Sequence, residues 1–484
     1  MRFPRTRETF LAVLVSAALA AWPTIAPAAP TTSRPATPAV IADFETAVPD
    51  GTQSGNVEVK IVVDTGAAAS GAGCLQIRLL KGSEDAYVIF PLPAHTNVDP
   101  GSKLVAWMRR TDAGKPIRMH WFALDGDNWV IFQRLFQFDP GAAEWVRVEW
   151  PLWQWRWGNE RTGEWTDVRA IALRVESETS EIWLDDIGLT GVANTDGFRE
   201  EFLKKAAFAG RKSRFVIEDG FLAATDAVED VSLADLKDMI ARMKQVRAWT
   251  KRVFGEAVRP TCDGPPTALL VFQKREDYVA FFKRLGQEWH VEIVPPRSGG
   301  YTVQDISACV YEPARGRKQP VAFHESVHSV LSRELRLLAG TPGHGWLHEG
   351  VANYLQLCLY PESLRAGEYA DNFSHPIGAK TFFRPLEEVL SKPVPRHYAQ
   401  LASLTAFLVE EKPDWLKQIA RGLADGKNLG DILKGLGTDV AGLEKLWFEW
   451  GQRTYGPLVS QPDRPHRHFP PPQEWAPEPH PAAV

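Results

Sequence analysis

The sequence predicts a multidomain chain: an N-terminal all-β sandwich, then an α+β domain with a helical C-terminal half. Three observations predict it. From about Ala39 to Val192, short and partly alternating apolar segments are punctuated by turn residues, and no helical period occurs. From about Thr195 the apolar residues fall at helical spacing, interrupted by two strand-like runs. The chain has 484 residues, of which 44% are hydrophobic and 24% charged. That composition is globular, and at roughly 100–200 residues per domain the length exceeds one domain.

The elements follow in chain order. Arg2, Arg5 and Arg7 precede an apolar stretch, Leu11 to Trp22, that is too short to span a bilayer. Ala26-Pro27-Ala28 then offers a small-x-small cleavage site. Residues 1–29 therefore read as a signal peptide. The mature protein is expected to be exported, periplasmic or extracellular, with no transmembrane anchor, because no later apolar run approaches the roughly 18 residues of a span. Residues 30–38, PTTSRPATP, form a Pro/Thr linker. The formal charge is −5, about −7 once the leader is removed, and no basic run occurs, which excludes nucleic acid as the main partner.

Residues 39–192 supply the sandwich. Strand candidates are 57–63, 74–80, 86–92, 103–110, 117–124, 145–150, 168–176 and 181–189, with Asp-Pro-Gly or Asp-Ala-Gly turns at 99–101, 112–114 and 139–141. Ten of the 18 tryptophans lie between 107 and 183. Trp153, Trp155 and Trp157 would share one strand face, either as an exposed stacking surface for sugar rings or as part of a Trp-rich core.

Residues 193–212 read as a linker and 213–455 as the second domain. Leu233, Leu236, Ile240, Met243, Val246, Trp249 and Val253 mark a helix over 232–254. A strand at 267–272, a helix at 275–287 and a strand at 306–312 follow, then helices almost continuously to about Gln452. The Pro-rich tail, 456–484, is expected to lack a core and be disordered. The four cysteines are too few for a disulfide scaffold. Cys262 and Cys309 are a candidate pair, with buried free thiols as the alternative.

Chemistry concentrates at 324–328, His-Glu-Ser-Val-His, in a helical run with Pro320 suited to its first turn. Histidines at i and i+4 share a helix face and can reach one ion, and Glu325 beside them suits a base toward water acidified by a metal. Residues 345–354, GWLHEGVANY, would present Glu349 from a second helix. Two histidines and one carboxylate leave a position open, as catalytic zinc sites do.

HESVH at 324–328 with WLHEGVANY at 346–354 resembles the gluzincin zinc metallopeptidases of the peptidase-MA-like group, which carry HExxH followed by WLxEGxAxY. The resemblance covers roughly 213–455. It implies one catalytic Zn²⁺ held by His324, His328 and Glu349, with Glu325 as general base, and a peptide or protein substrate; no residue marks an anchor for a free amino terminus, which leans the expectation to endo-cleavage. Asn353, at i+4 from Glu349, is a candidate to hold a ligand histidine through its second nitrogen, or a plain helix-surface amide. His348 is a candidate rim residue. In this group a Tyr or His from a later helix stabilises the oxyanion; Tyr398 in RHYAQ (396–400) is the candidate, with His397 as runner-up and a packed core tyrosine as the alternative. Ser298-Gly299-Gly300-Tyr301 also looks like this group. Tyr301 is a candidate substrate contact, and the strand at 306–312 is either the sheet edge above the cleft, where a peptide could add as a strand, or an interior strand.

The N-terminal domain more loosely resembles the galactose-binding-like jelly rolls of carbohydrate-binding modules, through IADFE at 41–45 and WLDDI at 183–187. That resemblance implies a polysaccharide or glycan partner and a structural Ca²⁺. Asp43, Glu45, Asp185 and Asp186 are the candidate oxygen ligands, with salt-bridged surface acids as the alternative. The competing function is therefore a glycan-binding envelope or secreted protein with an inactive peptidase-like scaffold. A zinc hydrolase of non-peptide amides is a third.

Overall fold

The computed structural model describes residues 39–455, apart from isolated positions and connecting segments, the longer of which are 81–85, 111–116, 139–143, 158–164, 176–180, 191–194, 259–265, 290–292 and 364–382. The leader, the 30–38 linker and the tail lie outside the described residues. The chain divides into two compact units, the first made chiefly of residues up to Phe202 and the second chiefly of the remainder.

The first unit contains two antiparallel sheets. One has the order β3 (Val57–Val63), β4 (Gly73–Leu79), β12 (Glu181–Thr190), β6 (Lys103–Arg110), β9 (Val146–Pro151), with β1 (Ala39–Ala42) also paired to β12. The other runs β10 (Arg156–Trp157), β8 (Val130–Phe138), β7 (Ile117–Leu124), β11 (Ala170–Val175), β5 (Ala86–Pro91), β2 (Gln53–Gly55). The alternation in the sequence becomes burial: Leu75, Ile77, Ile182 and Leu184 face inward from the first sheet, Met119, Trp121, Ile171 and Leu173 from the second. Tryptophans fill this core. Trp121 and Trp150 lie 5.3 Å apart between ring centroids, Phe136 meets Trp150 edge-on, and Trp165 stacks on Phe132 at 4.0 Å.

Residues 195–208, set aside as linker from the sequence, form helix α1 (Thr195–Phe208), which runs across the division between the units at Phe202 and Leu203. In the second unit, a five-stranded mixed sheet has the order β13 (Arg214–Glu218), β14 (Phe221–Thr225), β15 (Thr267–Phe272), β17 (Ile306–Val310), β16 (Gly300–Val303). β14, β15 and β17 are parallel, whereas β16 is antiparallel to β17 and forms the edge. The strand read at 306–312 is thus interior, and the edge is the short strand before it. Gln304 and Asp305 alone connect the two, with Gln304 at φ +58°.

Helix α2 (Leu233–Phe254) begins at Ser232, whose side chain and Asp235 form a reciprocal capping box. It buries Leu236, Ile240, Met243, Val246 and Trp249; Leu233 stays exposed at its first turn. Helices α3 (Arg275–Trp289, of which residues up to Arg284 belong here), α4 (Val321–Glu334), α5 (Gly345–Leu359), α6 (Leu386–Ser391), α7 (Tyr398–Glu411), α8 (Pro413–Ala424), α9 (Leu429–Gly435) and α10 (Val440–Tyr455) complete the second unit. Its apolar core is continuous from the sheet (Leu269, Val271) through α4 and α5 to Trp447 and Trp450. Cys309 is a buried free thiol within β17, so the bridge to Cys262 is not formed; Cys262 lies outside the described residues. No described helix is long and apolar enough to cross a membrane.

Candidate metal centre

α4 lies against β15, β16 and β17, and α5 packs on α4. The 3.6-residue period puts His324 and His328 one turn apart on the α4 face toward α5. Their rings meet edge-on, with Nε2 to Nε2 at 3.2 Å. From α5, Glu349 closes the group: Oε2 is 3.4 Å from His324 Nε2 and Oε1 is 3.6 Å from His328 Nε2. Among the described residues this is the group of His, Cys, Asp and Glu whose ligand atoms all lie within 4.8 Å of one another.

The donor set fits a metal ion. A tetrahedral ion at about 2.0–2.1 Å from each nitrogen needs the nitrogens about 3.3–3.4 Å apart. His324 Nδ1 is occupied by Gln356 Oε1 at 3.2 Å, which turns Nε2 to the group; burial lowers this ring, but the Glu349 carboxylate outweighs it and raises it. Glu349 Oε2 is buried without a hydrogen-bond partner. Burial works against the Glu349 carboxylate, but His328, His324 and a hydrogen bond from Tyr398 outweigh it and hold it at about 2. Burial also pushes His328 down to about 4, the neutral form a metal requires.

Glu325 points from the same helix and is 8% exposed. Burial pushes its carboxyl up to about 7, against the pull of His324 and of a hydrogen bond from Thr302. Thr302 Oγ1 is 2.8 Å from Oε2, while Ser307 Oγ donates to the Glu325 carbonyl at 2.6 Å. This close approach of β16 needs Gly300: a Cβ there would stand 2.5 Å from Val321 Cγ1 and 2.7 Å from Glu325 Cγ.

Tyr398, the first residue of α7, reaches the group. Its ring stacks on that of His324 with centroids 6.1 Å apart, and its hydroxyl donates to Glu349. Gly350 makes this possible, because a Cβ there would collide with Thr405 Oγ1 and lie 3.1 Å from the Leu401 carbonyl, forcing α5 and α7 apart.

Other expected site residues fall elsewhere. Asn353 donates to the Glu349 carbonyl of its own helix, and the histidine partner is Gln356, one turn further on. The sequence signal for Gln356 was its i+7 spacing from Glu349, which keeps it on the ligand face. His348 is 1% exposed and lies behind the site rather than on a rim; Nε2 is 2.9 Å from the Leu337 carbonyl, and burial pushes the ring down to about 3. His397 is also buried, next to Arg396 and Glu388, away from the ligand group's hydrogen bonds. Tyr301 is half-buried on the edge strand against Phe282, and burial, then Glu325, raises its hydroxyl.

In the sandwich, Trp155 is 6% exposed and meets Trp165 edge-on, so it belongs to the core rather than to a sugar platform. Trp157 pairs through its backbone with Phe132, and Trp153 lies outside the described residues. The four acids considered for Ca²⁺ organise loops. Asp185 accepts from Ala69 N and Ser70 N, Asp186 from Ser70 Oγ, Glu45 from Ala72 N, and Asp43 from Glu45 N. They make no metal-sized group of the kind formed by His324, His328 and Glu349.

No family model matches the chain, and no curated protein does. Among solved structures, a family 11 carbohydrate-binding module from Clostridium thermocellum is 17% identical over 32% of this chain and 97% of its own, with a TM-score of 0.27. A xylan-binding domain from Paenibacillus barcinonensis is 14% identical over 32% of this chain and 96% of its own, with a TM-score of 0.22. A family 30 carbohydrate-binding module is 13% identical over 32% and 99%, at 0.26. What those modules bind is a property of theirs.

Proposed function

We propose that the second unit is a zinc-dependent peptidase acting outside the cytoplasm. The observation that carries the reading is the convergence of His324, His328 and Glu349 with a separate, buried carboxylate, Glu325, beside them. A structural site closes with four ligands and has no use for an adjacent base. When bound, zinc supplies Lewis acidity, which polarises a carbonyl and acidifies water.

The chain's own residues do the rest. His324 and His328 present their Nε2 atoms to the group, and Gln356 Oε1 holds Nδ1 of the first. Glu325, raised to about 7 by burial, is poised to take a proton near neutral pH and hand it to a leaving amine. Its Oε2 is anchored by Thr302. Tyr398 is placed to turn its hydroxyl from Glu349 toward an oxygen that gains charge.

The test is cleavage of a diverse peptide library by the zinc-loaded chain, read by mass spectrometry beside Glu325→Gln. The proposal expects discrete cuts that a chelator stops and the variant does not make. Cuts that survive in Glu325→Gln would overturn it.

A further inference from the structure

We propose that Thr302 is a positioning residue for Glu325, and that the β16–β17 hairpin is the jig that aims the base. The proposal rests on the peptidase reading of that site. Thr302 and Ser307 face one another across β16 and β17, with their hydroxyls 2.9 Å apart on the side of the sheet that carries α4. Both reach one residue. Ser307 Oγ donates to the Glu325 carbonyl at 2.6 Å, and Thr302 Oγ1 lies 3.1 Å from the same carbonyl and 2.8 Å from Oε2. A hydroxyl has one proton to give, and Ser307 already serves the carbonyl. Thr302 therefore gives its proton to Oε2, the charged acceptor and the stronger partner.

The hairpin is itself fixed to α4 a second time. Arg333 Nη1 reaches Asp305 Oδ2 at 3.3 Å, both side chains being buried, with Asp305 in the two-residue turn. Two ties about two helical turns apart set the rotation and height of α4 against the hairpin. Gly300 removes the one side chain that would keep β16 off Glu325. A glutamate has three side-chain torsions, and a free one would spread its carboxylate over many positions. Held at Oε2, it keeps one. A base must sit within hydrogen-bond reach of its proton, and a misplacement of about 1 Å can cost as much as 100-fold in rate.

Thr302→Val keeps the shape and removes the hydroxyl; Thr302→Ser keeps the hydroxyl. In the zinc-loaded full chain, we expect Thr302→Val to lower kcat about tenfold, with KM within about twofold and one metal still bound. Thr302→Ser is expected to return most of kcat. A Thr302→Val enzyme with wild-type kcat overturns the proposal. So does a loss of kcat shared equally by Thr302→Ser and matched by a fall in thermal midpoint, which would mark a packing role only. A second readout needs no substrate: acetohydroxamate titrated into the Co²⁺-loaded chain and followed by the visible d–d spectrum. On the proposed role of Glu325, a hydroxamate held there would share its proton with that carboxylate. Thr302→Val and Glu325→Gln are both expected to weaken it about tenfold, and an unchanged affinity in Thr302→Val overturns the proposal. If the wild type cuts no peptide, this titration still decides the role of Thr302, while the peptidase reading alone falls.

Discussion

Glu325 carries opposing influences: burial raises its carboxyl, while Thr302 and His324 lower it, and the balance leaves it near 7. Replacing the acid by an amide of the same shape removes proton transfer without changing the fold. Glu325→Gln is expected to cut hydrolysis by at least about 100-fold with metal content unchanged. Gln356 acts one atom further out, through His324 Nδ1. Gln356→Ala is expected to weaken zinc affinity about tenfold in a competition titration with a chromophoric chelator. An unchanged affinity would show that the tautomer is fixed without it. Tyr398→Phe is expected to lower kcat by about 100-fold while KM moves little; a change in KM alone would make Tyr398 a ground-state contact. That His324 and His328 lie side by side was legible in the sequence, because helical spacing fixes which side chains share a face. Thr302 and Asn353 were not: whether a polar side chain meets its own helix or a neighbour is decided by how close two elements pack.

At the scale of elements, two glycines set the spacing of the site. Gly300 admits β16 to Glu325, and Gly350 admits α7 to α5, which brings Tyr398 to the ligands. Gly350→Ala overpacks that crossing and is expected to cost about 1–3 kcal/mol, seen as a lower thermal midpoint; an unchanged midpoint would mean the helices yield freely. The far end of α4 is held by Glu334, 1% exposed, against Arg247 at 2.8 Å, with Arg247 also over the face of Phe221. Several strands were readable to within a residue, including 103–110, 117–124 and 267–272. β8 was missed. Ile131, Phe132, Gln133 and Leu135 are all buried, so both of its faces are covered and its alternation is blurred. β16 was missed because a four-residue strand carries no period of its own, and its identity as the edge depends on pairing with β17.

At the scale of the whole molecule, the sandwich and the α+β unit were both visible as textures of the sequence, whereas the mixed order of the second sheet was not. β13 and β14 form an antiparallel hairpin on a parallel core, a choice made by burial across five strands rather than by any one of them. The second unit also carries a pH dependence. Burial depresses His344 from its ordinary range to about 4, although the carbonyls of Leu338 and Leu423 lean the other way. The unfolded chain therefore takes up this proton first as pH falls, so stability is undiminished above the ordinary histidine value and drops between there and about 4. His344→Asn is expected to remove roughly 3 kcal/mol of that decline in denaturant titrations between about pH 7 and pH 4; parallel curves for variant and wild type would contradict it. The central claim, that His324, His328 and Glu349 hold one zinc ion, is tested most directly by metal content. Inductively coupled plasma mass spectrometry of the zinc-equilibrated, desalted chain should find about one zinc per molecule in the wild type and far less in Glu349→Ala. Equal zinc in both, or none in the wild type, would contradict the account.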